Sequence, residues 1–189
     1  MSQDRTADRT TDRPSDAATR AEARPTIECR FAGRGLSFVV ELAPDEAPAS
    51  VAALLERLPL ESDTYHTKWG GRAFFVVLPP FADGAPERPT TEVRAGDVVL
   101  VHRDPTDRSA PWRLRADGLG AYVELGFFYG EGGRLFGPTG AVPGTRVGRI
   151  VGDLTPLAAA VAEMRRSGFE RLTARRPPTG AHERGRRLR

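Results

Sequence analysis

Residues 65–78 read YHTKWGGRAFFVVL. Tyr65, His66, Lys68 and Trp69 fall within five positions, and Gly70-Gly71, Arg72 and a dense apolar run follow. A tyrosine and a histidine can pass protons near neutral pH. A guanidinium just after two glycines, where backbone allows close approach, suits a carboxylate. Glu124 sits in the apolar stretch Tyr122-Val123-Glu124-Leu125. A carboxylate among hydrophobes must face solvent or be paired. Facing a groove, it would have a raised pKa and serve as an acid or base near pH 7. The candidate catalytic groups are therefore Glu124, Tyr65 and His66. Arg72 is the first candidate to hold a substrate carboxylate and Arg134 the second. Trp69, Tyr129 and Phe74 are the candidate aromatic walls, and Tyr129, before Gly130, has the hydroxyl best placed to reach a ligand.

These residue types suit the condensation of an amine with a 2-oxo acid or aldehyde. That reaction needs an arginine for the carboxylate, a proton donor for the carbonyl and an acceptor for a proton lost later from carbon. Each residue also has a plain structural reading: Trp69 as core, His66 as an edge residue, Arg72 as a solvated strand end, Glu124 as an outward side chain. On one strand Tyr65 and Trp69 point one way, and His66 and Lys68 the other. All four share a pocket only if a bulge or the Gly70-Gly71 bend twists the strand.

Other chemistries find no support. Cys29 is the single cysteine, which rules out an internal disulfide and a cysteine-based zinc site, and it is read as a small buried hydrophobe. With only His66 and His102 in the body, metal binding is not expected. No P-loop, dinucleotide fingerprint or Gly-x-Ser-x-Gly elbow occurs, so no cofactor is expected. Asparagine is absent and Gln3 is the only glutamine. Any polar reading of a ligand thus falls to backbone, hydroxyls, carboxylates, histidine and arginine.

Several elements must position these residues. Thr26–Phe31 and Leu36–Leu42 alternate as two strands of a hairpin turning at Gly33–Gly35. Pro44-Asp45-Glu46 opens a helix with Val51, Leu54, Leu55 and Leu58 on one stripe, stopped at Pro59. Strands are expected near 64–69, 72–78, 97–103, 119–129, 145–151 and 169–174, and a second helix over about 155–166 with Leu157, Val161 and Met164 inward. Residues 79–95 and 104–118 read as loops. The runs Phe74–Leu78 and Val98–Val101 are apolar on both faces and so are covered on both. About eight strands and two helices fit a mainly β fold: a closed antiparallel barrel capped by the helices.

The 189 residues are enough for one domain, expected over 25–175. Residues 1–24 balance five acids against five bases with almost nothing apolar, and read as a disordered leader. Residues 176–189 read as an Arg-rich disordered tail. It can touch phosphate non-specifically, but no nucleic-acid motif in the body supports specific binding. No apolar run spans a membrane and no signal-peptide pattern opens the chain, so a cytoplasmic protein is expected. The expected partner is a small-molecule substrate, and a homo-oligomer is left open.

The order of these pieces resembles a family of small bacterial cyclophilin-like proteins, the DUF3830 group. The resemblance rests on His66, Lys68-Trp69 and Gly70-Gly71 before a buried strand, on Ala95-Gly96-Asp97 opening the next, and on Glu124 followed by Tyr129-Gly130. It covers roughly residues 26–174 and implies a cyclophilin-like barrel. That barrel is also similar to the catalytic domain of cucumopine synthase, a ring-forming enzyme of the Pictet–Spengler type, which makes condensation and cyclisation the leading expectation. A non-catalytic small-molecule binder and a peptidyl-prolyl isomerase are the alternatives. The body lacks the glutamine that isomerising cyclophilins use to hold peptide.

Overall fold

The computed structural model describes residues 23–81, 86–103, 121–137, 140–168 and 170–178. Most of the expected leader and tail, and the loop at 104–118, lie outside these residues.

Eight strands close into an antiparallel barrel. They are β1 (Thr26–Phe31), β2 (Leu36–Leu42), β3 (Leu60–His66), β4 (Ala73–Leu78), β5 (Asp97–Arg103), β6 (Tyr122–Phe128), β9 (Thr145–Val151) and β10 (Arg171–Arg175). Around the barrel the order is β1-β10-β3-β4-β6-β5-β9-β2, and β1 is paired on both sides. Closure leaves no open edge among the eight barrel strands. A two-stranded ribbon, β7 (Phe136–Gly137) and β8 (Gly140–Ala141), lies outside the barrel order.

Alternation decides what the barrel encloses. Ile27, Cys29 and Phe31 of β1 meet Phe38, Val40 and Leu42 of β2, Phe74, Val76 and Leu78 of β4 and Val123, Leu125 and Phe127 of β6 in one buried cluster. Cys29 is fully buried there, and burial pushes its thiol up beyond any ordinary titration. The other faces of β4, β5 and β6 carry a second cluster of Ala73, Val99, Val101 and Phe128, covered by Leu135 and packed on by Val142 beside the β7–β8 ribbon. Covering on both sides is why these strands are apolar at successive positions.

Two helices complete the core. Helix α1 (Pro48–Glu56) has proline in its first turn and buries Val51 and Leu54. Its free N–H groups are met from a distance: Ala49 N and Ser50 N donate to the Glu87 carboxylate at 3.1 and 2.6 Å. Helix α2 (Thr155–Ser167) buries Leu157, Val161 and Met164 and stops at Gly168, whose φ is +103°. Both helices add residues to the interior cluster. A closed barrel is open only at its ends, so each helix covers an end. Thr64 Oγ1, which donates to Glu170 O at 2.7 Å, lies 3.1 Å from Met164 Sδ, which sets the C-terminal half of α2 over the end where β3 finishes.

Three boundaries differ from expectation. The strand expected near 64–69 is β3, Leu60–His66, which starts directly after Pro59 and stops where the bend at 67–72 begins. The first helix begins at Pro48 rather than at Pro44, because residues 43–46 form a turn of their own, with Glu46 N and Ala47 N donating to Ala43 O. The first hairpin turns through a short 3-10 segment, Ala32–Arg34, with Gly35 left-handed at φ +64°.

Candidate functional site

The wall formed by β3, β4 and β6 divides the candidate residues between its two faces. On the inner face stand His66, Phe74 and Tyr129. His66 ends β3 and lies opposite Phe74 of β4, which lies opposite Phe127 of β6. The Phe74 and Phe127 rings stack with centroids 4.9 Å apart, and the Tyr129 ring follows 6.5 Å from Phe74. Tyr129 is anchored by its own N–H, which donates to Arg72 O at 3.0 Å.

Hydrogen bonding assigns the protons of this inner pair. His66 Nδ1 is 2.7 Å from Thr67 O, and a carbonyl only accepts, so Nδ1 carries the hydrogen. His66 Nε2 is then an acceptor, and the Tyr129 hydroxyl, 2.7 Å away, donates to it. Burial holds the imidazole below its usual pKa, the Thr67 carbonyl opposes this, and the charge of Arg165 adds to it. Burial pushes the Tyr129 phenol up, against the pull of Arg165 and Arg72. Both groups are neutral at pH 7.

On the outer face stand Tyr65 and Glu124. The Tyr65 ring stacks on Phe75 of β4, centroids 5.6 Å apart and 27° between planes. Beside Phe75 in register is Gly126, and beyond it Val99. The next outward row is Val77, Glu124 and Val101, and then Tyr122 beside Arg103. Glu124 is only 8 % exposed, and Arg103 Nη2 donates to its Oε2 at 2.9 Å. Tyr65, Phe75, Val77 and Gly126 are half-buried, whereas Tyr122 and Val101 are buried. A Cβ on Gly126 would meet only ordinary contacts, 3.7 Å from Val99 O. Tyr65, Phe75, Gly126 and Val77 thus form a half-buried strip between the aromatic stack and the carboxylate–guanidinium pair, bordered by the buried Val99 and Val101.

The remaining candidates lie at the rim. Trp69 is 54 % exposed on the 67–72 bend, not in the core. The bend is held against the 130–134 turn by the Arg134 N–H, which donates to Gly70 O at 3.0 Å. Gly71 has φ +74°, and a Cβ there would collide with the Gly132 carbonyl, so this close approach requires glycine. The Arg72 stem lies over Gly130, where an added Cβ would come within 2.8 Å of its Cδ. Arg134 is exposed and holds this bend through its backbone rather than its guanidinium.

The structure thus brings His66, Tyr129 and Phe74 together, with Arg72 beside them, and sets Glu124 with Tyr65 on the far side of the same strands. The Gly70-Gly71 bend does not rotate Tyr65 and His66 to one face. Sequence reasoning passed over Phe75, Tyr122, Arg103 and Arg165. The first three share the Glu124 face only through strand register. Arg165 follows the recognisable buried position Met164 on α2, yet what that helix covers was not visible. Among the described residues no group of three potential metal ligands occurs.

A polar cleft of about 520 Å³ lies elsewhere, lined by Glu46 of the turn before α1, the 87–94 segment and the starts of β5 and β9. Part of its charge is matched locally. Arg146 pairs with Glu46 at 2.6 Å, Arg149 with the buried Asp97 at 3.4 Å, and Glu87 serves the α1 N-terminus.

Comparison with known proteins is consistent with this architecture. The family model described as "Protein of unknown function (DUF3830)" matches residues 30–174. The chain belongs to that family. The chain is also similar to two solved structures. One is the hypothetical protein AF2241 from Archaeoglobus fulgidus, 19% identical, with 82% of this chain and 96% of that chain covered and a TM-score of 0.49. The other is McbB in complex with tryptophan, 19% identical, with a TM-score of 0.50. That match covers 80% of this chain and 45% of the McbB chain, so this DUF3830 protein spans less than half of McbB. No curated protein matches the sequence.

Proposed function

We propose that this DUF3830 protein condenses a small aromatic amine or amino acid with a 2-oxo acid or aldehyde, in a reaction of the Pictet–Spengler type, on the outer face of β3, β4, β6 and β5. The observation that carries the reading is the buried Glu124–Arg103 pair at the edge of the half-buried Tyr65–Phe75 strip. A flat aromatic substrate suits such a strip, because offset stacking and area burial both favour it. McbB, which shares the fold, is described in complex with tryptophan, an aromatic amine of this kind.

The chemistry balances without an oxidant or reductant. The amine nitrogen attacks the carbonyl carbon, a C–N bond forms, and water leaves after protonation of the carbinol oxygen. The aromatic carbon then attacks the iminium carbon, a C–C bond forms, and that aromatic carbon loses its proton to a base. Glu124 is the base in this reading, Tyr122 or Tyr65 the proton donor, and Arg103 holds the substrate carboxylate while keeping Glu124 in place. The protein supplies only binding and proton transfers, which contribute typically about 10²–10⁴-fold each as general acid–base steps.

The same ion pair favours one other reading, a non-catalytic binder in which Glu124 holds an ammonium group without turnover. Mass analysis separates the two. Incubation with tryptophan and a 2-oxo acid or aldehyde should yield a product of the summed mass less one water, and Glu124→Gln should bind tryptophan yet form none. Saturable tryptophan binding with no product from any amine–carbonyl pair would leave the binder.

A further inference from the structure

Gly126 lies midway along β6 on the outer face, between Phe75 of β4 and Val99 of β5 in register. Neither its backbone nor the described packing requires glycine there. Its φ lies outside the left-handed region. A Cβ added to it would stand 3.7 Å from Val99 O and 3.9 Å from Phe128 Cε2, both ordinary van der Waals distances. Gly148, in the barrel strand β9, differs: a Cβ there would strike the Glu41 carbonyl. Among the described glycines, Gly126 alone combines an ordinary φ with clearance for a Cβ.

Glycine inside a strand weakens it, because it has more freedom to lose on folding and no side chain to pack. A glycine that the fold does not need is explained by what must approach its backbone closely. Gly126 is half-buried, so that backbone is partly open. Beside it stands the half-buried Phe75, stacked on Tyr65 with centroids 5.6 Å apart. Glu124 lies two residues back on the same face. Such neighbours are about 7 Å apart, so a ring lying on Gly126 and against Phe75 is next to the Glu124 carboxylate.

We propose that Gly126 is the specificity-determining residue of the outer site, where the aromatic ring of the substrate lies directly on the β6 backbone. This inference rests on the reading of that face as the site of an aromatic amine, and it adds the substrate class. From Tyr65 across Phe75 to Gly126 the strip crosses three strands, about 10 Å at ordinary strand spacing. That length suits a fused two-ring amine such as an indole. A methyl group at position 126 would raise the floor of the strip and lift the ring away from Phe75.

The probe is indole, the fused ring without an amine or carboxylate to react. Its binding to the full chain is measured by titration calorimetry, and the melting temperature of each sample is recorded. Gly126→Ala should melt at or above the wild type and bind indole about tenfold more weakly, the scale of one extra carbon in a fitted pocket. Gly126→Val should bind it more weakly still. Glu124→Gln should keep indole affinity while losing the condensation product, so the ring site and the reaction fail separately. Indole binding that depends on residue 126, with no product from any amine–carbonyl pair, would uphold the ring site and remove the reaction. Equal indole affinity in Gly126→Ala and the wild type would overturn the assignment even where product forms, as would a wild type that does not bind indole. A Gly126→Ala melting temperature several degrees lower would also overturn it, by showing that the fold itself requires glycine.

Discussion

The two faces of the β3–β4–β6 wall use the same strands and reach opposite electrostatic solutions. Inward, His66 and Tyr129 meet as a neutral pair against stacked rings of Phe74 and Phe127. Outward, Glu124 and Arg103 meet as an ion pair beside the Tyr65–Phe75 stack. The interior of a closed barrel disfavours charge, so an imidazole there stays unprotonated and its partner keeps its proton. The outer face, partly open, accommodates ions once they are paired. Residues adjacent in sequence, such as Tyr65 and His66, therefore end in different chemical worlds.

Substitution at neighbouring positions should expose the difference most strongly. Phe74→Ala should cost about 3–5 kcal/mol of unfolding free energy, as a large aromatic lost from a closed core does. Phe75→Ala, half-buried on the outer face, should cost about 1–2 kcal/mol, because less area leaves water on folding. Paired urea titrations check both, and equal losses would erase the distinction between the faces.

Breaking the outer ion pair comes next. Arg103→Met should cost about 3 kcal/mol, because it removes a guanidinium that donates to the buried Glu124 carboxylate. Arg103→Met combined with Glu124→Leu should recover much of that loss, since an apolar pair leaves no buried charge. Tyr129→Phe should be milder, about 1 kcal/mol, as the loss of one neutral hydrogen bond.

The smallest expected effect is a pH slope. His66 and His102 both have folded-state pKa values lowered by burial. The unfolded chain therefore binds protons first, and stability is fully present above about pH 6.5 and declines as pH falls below it. Urea midpoints between about pH 7.5 and pH 5 should fall. His66→Gln should flatten the slope in part, whereas a slope unchanged in His66→Gln would show that the inner imidazole is not held neutral.

Much of the fold was legible in the sequence, and the site only in part. Alternation in Thr26–Phe31 and Leu36–Leu42 exposed the hairpin, and two-sided apolar runs at Phe74–Leu78 and Val98–Val101 exposed strands covered on both faces. The helical stripes Val51–Leu54 and Leu157–Val161–Met164 were equally plain. The candidate residues were visible as types, because a histidine, a tyrosine or a glutamate in apolar surroundings needs a partner. Their partners were not. Arg103 meets Glu124 through the β5–β6 register, and Tyr129 meets His66 across 63 positions of chain. Register and ring closure are long-range facts that local periodicity does not encode. Trp69, expected as an aromatic wall with the core as its plain structural alternative, lies on an exposed bend, so the core alternative does not hold.

The central claim is that the outer face of β6 carries the reaction. The direct measurement is single-turnover mass analysis of the wild type, Glu124→Gln and His66→Gln with tryptophan and a carbonyl partner. The account predicts a dehydrated, cyclised adduct from the wild type, a loss of about 10²-fold or more in Glu124→Gln, and near-wild-type turnover in His66→Gln. Turnover that survives in Glu124→Gln and vanishes in His66→Gln would place the chemistry on the inner face and contradict it.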